Sequence, residues 1–134
     1  RRLWLELELM TQDTTLETLV PDFCARILPD FSQLKVKLSE VHPEWSTPEL
    51  AMNLMEFGRG LISQVDKPSP DHVAFIRRFI DALFFDDAQV GLFTAYAGGC
   101  LMGLTIKGQL QPEQLVEALE LAAQFAQTRL GSVA

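Results

Sequence analysis

The sequence has few basic residues: of 134 residues, 11 are Lys or Arg and 18 are Asp or Glu, which gives a formal net charge of −7. A general nucleic-acid-binding protein presents a basic face to the phosphate backbone. The composition therefore argues against nucleic acid as a partner, and it disfavours an anionic membrane surface for the same reason. The first explanation of an acidic surface is that it keeps the protein soluble, and the second is that it attracts a basic protein partner.

Cysteine and histidine are also scarce, with two of each. Cys24 and Cys100 lie among apolar residues without a paired spacing, which indicates buried free thiols in a reducing compartment and hence a cytoplasmic protein. His42 and His72 do not belong to a ligand pattern such as H-E-x-x-H, and no glycine-rich phosphate loop is present. We therefore predict no metal, no cofactor and no catalytic residues.

One stretch lacks charge altogether. Residues 88–106, AQVGLFTAYAGGCLMGLTI, lie between two aspartates and a lysine. A helix that is apolar on every side must be buried in protein or in lipid. Small residues recur at every fourth position and would form one ridge on this helix: Gly91, Ala95, Gly99 and Gly103. Gly58 lies in an earlier predicted helix and offers a matching low point, so we predict that these two helices pack together.

The uncharged stretch also approaches the length needed to cross a membrane, and membrane helices associate through similarly spaced small residues. Its four glycines, the lack of flanking basic clusters and the lack of an aromatic belt argue against a membrane span. Amphipathic helices elsewhere in the chain need an apolar partner, which a buried central helix supplies. We favour a soluble core and keep the spanning helix as an alternative.

The N-terminal third contains the least certain elements. Residues 1–12 are interpreted as an arm, because LWLELEL alternates like a strand without a strand to pair with; Met10 is a candidate start, which would place residues 1–9 outside the native chain. A capping box of Thr14 and Glu17 predicts a helix start. Pro21 should kink or restart this helix and Pro29 should end it. Residues 31–41 fit a helix or a strand, and their context favours helix.

Three later helix starts are predicted from a proline at the first helical position followed by an acidic residue. The acidic residue is favourable near the positive end of the helix dipole. These helices are predicted over 48–65, 70–85 and 112–130. The first should bury Leu50, Leu54, Phe57, Leu61, Ile62 and Val65. The last should bury Leu115, Leu119, Ala122, Ala126 and Leu130. The predicted fold is all-α: residues 13–131 form a single compact bundle of five or six helices around residues 88–106.

Two classes of function fit this prediction. The first is a non-catalytic protein that binds another protein or itself, for example an adaptor, a regulator or an immunity-type antidote to a basic partner. Its candidate contact residues are Glu113, Glu117, Glu120 and Trp45. The second is a small-molecule or lipid-binding helical domain, in which the small-residue ridge leaves room for a ligand. Its candidate lining residues are Phe93, Tyr96 and Met102.

Overall fold

The computed structural model of this chain describes residues 15–63 and 88–131. Four α-helices pack together in these ranges, and no strand occurs in them. The helices are α1 (Leu16–Val41), α2 (Thr47–Ser63), α3 (Ala88–Ile106) and α4 (Leu115–Leu130), with a short 3-10 turn over Pro112–Gln114. The all-α prediction is confirmed, but the predicted count of five or six helices is not matched. The predicted arm and the predicted helix over 70–85 lie outside the described residues.

Helix α1 is longer than predicted. It continues through Pro21 and Pro29 for 26 residues, so the predicted restart and the predicted end are both wrong, as is the strand alternative for residues 31–41. An internal proline costs a helix about 3 kcal/mol. Burial of an apolar side chain contributes roughly 1.5–3 kcal/mol, and seven buried side chains span both prolines. These are Leu19, Val20, Phe23, Cys24, Ile27, Phe31 and Leu38. Burial along the whole face therefore outweighs the two missing hydrogen bonds.

The start of α1 also differs from the prediction. The residue before the first turn is Thr15, whose side chain makes no capping hydrogen bond, and Thr14 lies outside the described residues. Capping boxes occur later in the chain instead. Ser46 and Glu49 exchange hydrogen bonds at the start of α2, and Gln111 and Gln114 do so before α4. The contact with Ser46 lowers the pKa of the Glu49 carboxyl.

Helix α3 occupies the centre of the bundle. Every residue from Leu92 to Leu104 is buried, and α2 packs on it more extensively than α4 or α1 does. Its two threonine hydroxyls donate to carbonyls of the same helix, Thr94 to Val90 at 2.7 Å and Thr105 to Leu101 at 3.1 Å. By length and composition α3 could cross a membrane, with a mean hydropathy of 1.3 over its 18-residue window, yet 78% of that window is buried inside the protein.

Helix α2 is rotated relative to the prediction. Phe57 and Leu61 were expected to be buried but are 46% and 61% exposed, while Val65 lies outside the described residues. The face turned towards α3 carries Ala51, Leu54, Met55, Gly58 and Arg59. Close approach of two helix backbones requires a small residue at the contact. The position of Gly58, rather than that of the bulkiest side chains, therefore sets the rotation of α2.

Helix α4 covers another side of α3. Ala118, Leu119, Ala122 and Ala126 are buried, and Leu115 and Leu130 are half-buried. Between α3 and α4 the chain reverses at Gly108, whose φ of +81° lies in the left-handed region that favours glycine. Leu110 follows this turn and is buried in the core, which anchors the connection.

Candidate functional site

The tightest packing in the described structure lies where α2 crosses α3. A Cβ atom added at Gly58 would lie 2.6 Å from the Tyr96 carbonyl oxygen, and one added at Gly99 would lie 2.9 Å from the Met55 Cα and nearer still to its carbonyl. A Cβ atom at Gly103 would lie 2.6 Å from the Ile62 Cβ. These glycines are therefore required by packing, which is sufficient to explain Gly99 and Gly103 of the predicted ridge and Gly58, their predicted counterpart on α2.

The remaining two ridge residues lie further towards the start of α3. Ala95 is fully buried, and Gly91 is half-buried. Ala95, Gly99 and Gly103 are therefore part of the core and inaccessible to a partner in the folded protein, whereas Gly91 lies at its edge.

The three side chains proposed to line a ligand site are tightly enclosed. Phe93, Tyr96 and Met102 are each at most 2% exposed. The Phe93 ring meets Phe31 edge-on at 5.2 Å between centroids and lies 5.6 Å from Phe125. Aromatic pairs at these distances stabilise a core beyond their simple area burial. The structure thus places these residues in side-chain packing.

Two open depressions lie elsewhere on the surface. One, of about 440 Å³, lies between the start of α1 and the turn before α4. It is lined by Thr15, Leu16, Leu19, Gly108, Gln109, Leu110, Gln111 and Gln114. The other, of about 430 Å³, lies along α2 and is lined by Asn53, Glu56, Phe57, Gly60 and Leu61. Neither is lined by the residues predicted to contact a ligand.

Both thiols are buried, and that of Cys100 lies close to Cys24 and to Tyr96. Cys24 and Cys100 are 0% and 1% exposed, and both are free. Burial raises the pKa of the Cys24 thiol to about 12. Burial and then the proximity of Cys24 raise the pKa of the Cys100 thiol still further, and burial followed by proximity to Cys100 raises the pKa of Tyr96. Neutral, desolvated thiols of this kind are poor nucleophiles.

Both thiols should therefore resist a thiol-labelling reagent in the native protein at pH 8. With a pKa of about 12, Cys24 is almost entirely protonated, and we expect labelling at least ~1,000-fold slower than in denaturant. The measurement is the rate of absorbance change with an aromatic disulfide reagent. Fast native labelling of either thiol would contradict its burial.

The same thiols make stability depend on alkaline pH. Because the folded pKa of Cys24 is raised from 9.0 to about 12, the stabilisation linked to its proton is fully present below pH 9 and is lost as the pH rises towards 12. At pH 8 the free energy of unfolding is therefore not yet lowered by this effect, and the labelling rate reports on burial alone.

The acidic residues predicted to meet a partner lie on the surface. Glu113, Glu117 and Glu120 are exposed, and Val116, between them on the same side of the helix, is 61% exposed. Arg129 is the only basic residue of α4, and its guanidinium carbon lies 5.2 Å from the centre of the Phe125 ring. The outer side of α4 is thus acidic around one exposed apolar side chain.

Trp45 occupies the loop between α1 and α2 and is less accessible than an anchor residue would be. It is half-buried against the core, and its ring stacks on His42 with centroids 3.8 Å apart and planes 9° apart. The His42 Nδ1 atom lies 3.1 Å from the Glu44 carboxylate. A hydrogen bond from the Glu44 backbone, followed by the contact with His42, lowers the pKa of Glu44. These contacts stabilise the loop.

The feature that sequence reasoning missed is the outward side of α2. Met52, Phe57 and Leu61 are 38%, 46% and 61% exposed, although the apolar periodicity placed two of them in the core. The available signal was Gly58, since a glycine required at the α3 contact turns the side chains at 57 and 61 away from it. Within the two described ranges, no three or more His, Cys, Asp or Glu side chains are grouped as they would be to hold a metal ion.

The chain matches no protein-family model, no curated protein and no solved structure.

Proposed function

We propose that this protein is a non-catalytic binding protein that docks a basic protein partner through the outer side of α4. We call this surface the acidic face and define it by Glu113, Val116, Glu117 and Glu120. The observation that carries the proposal is the exposure of all four side chains, Glu113 in the 3-10 turn before α4 and the other three in the first turns of α4.

The packing of α4 supports this proposal. The opposite side of α4 is held in the core by Ala118, Ala122 and Ala126, each fully buried, so the carboxylates project from a rigid support. Acids spaced four and three apart disfavour an isolated helix slightly. Glu113 and Glu117 lie in first helical turns, where the positive end of the helix dipole favours an acid, but Glu120 does not. A concentrated negative field also accelerates encounter with a basic surface. Val116 supplies an apolar contact at the centre of that field.

This reading includes the specific case of a cytoplasmic immunity-type antidote that covers a basic toxin. Its acidic face would steer association, and the remaining helices would supply the scaffold. The proposal treats α3 as a core helix rather than a membrane span, which its 78% burial inside the protein supports.

Charge reversal tests the proposed docking. Glu113→Lys, Glu117→Lys and Glu120→Lys together should lower the association rate for the basic partner by about tenfold or more at low salt, because electrostatic steering is lost. The partner is isolated by cross-linking to the wild-type protein, and association is then measured by stopped-flow fluorescence at low and moderate ionic strength. The wild-type rate should fall as salt rises, and that of the variant should change little.

A matched control distinguishes the effect of the acidic face from that of the protein's total charge. Glu17→Lys, Asp22→Lys and Glu40→Lys change the net charge by the same amount at exposed positions of α1, and Glu17, like Glu113, lies in a first helical turn. We expect this control to retain most of the wild-type rate. Equal losses in both variants would show that overall charge matters and the acidic face does not. No loss in either variant would place the docking site elsewhere.

A further inference from the structure

We draw no further inference here: the strongest candidate, the apolar patch of Met52, Phe57 and Leu61 beside the open depression on the outward side of α2, is exposed only relative to residues 15–63 and 88–131, and nothing in the described structure shows what covers it.

Discussion

Gly99→Ala should destabilise the fold by about 3 kcal/mol or more, which is at the upper end of the cost of overpacking a core. The added methyl group would lie within 2.9 Å of the Met55 Cα and closer to its carbonyl group. Backbone atoms cannot move aside as a flexible side chain can, so α2 and α3 would have to separate. Chemical denaturation followed by far-ultraviolet circular dichroism gives the free energy of unfolding, and Ala95→Leu on the same ridge should also lower it.

Gly60→Ala is the matched control, because it makes the same chemical change at a position of α2 where a Cβ atom meets none of the described residues within 4 Å. It should stabilise the protein by about 0.5–1 kcal/mol through the helix preference of alanine. Unfolding of both variants is measured at the same protein concentration. Equal stability of Gly99→Ala and the wild type would mean that α2 and α3 do not approach as closely as described.

Phe93→Ala should destabilise the protein by about 3–5 kcal/mol, the range for removing a large aromatic side chain from a core. Phe93 is 0% exposed and contacts rings from both α1 and α4, namely Phe31 at 5.2 Å and Phe125 at 5.6 Å. Its removal leaves a cavity between three helices that none of them can close without moving. The free energy of unfolding and the near-ultraviolet circular dichroism signal should both decrease.

Phe57→Ala supplies the comparison for this second substitution, because Phe57 is 46% exposed. It should cost about 1 kcal/mol or less, as surface substitutions usually do. If the two phenylalanine variants lost stability equally, the assignment of Phe93 to the core and Phe57 to the surface would be wrong. A Phe93→Ala protein of unchanged stability that binds small apolar molecules would revive the ligand-binding alternative.

The central helix was predictable because its sequence leaves no choice of face. Residues 88–106 are uncharged, so burial on all sides is the only arrangement that removes their apolar surface from water. The helix occupies Ala88–Ile106, as predicted. The starts of α2 and of the 3-10 turn that leads into α4 were predictable for a local reason, since proline and an acid favour a first helical turn whatever packs beyond it.

The prolines of α1 and the rotation of α2 were not predictable in the same way. Local rules assign Pro21 and Pro29 a cost, but they do not include the stabilisation that a continuous buried face contributes once α3 and α4 are in place. Likewise, a search for apolar periodicity assigns the large side chains to the core. The rotation of α2 follows instead from its glycine at the contact, Gly58, where its backbone comes close to that of α3.

Of the two exposed surfaces discussed, one was predictable from the sequence and the other was not. The acidic row on α4 could be read from spacing alone, since Glu113, Glu117 and Glu120 are charged residues opposite an apolar stripe, and all three are exposed. The exposure of Phe57 and Leu61 on α2 emerged only in the folded chain. Sequence alone determined the all-α class and which helix must be central, because helix propensity and total hydrophobicity are local properties. Tertiary structure decided which side of α2 meets α3, because that depends on steric contact between residues far apart in the chain.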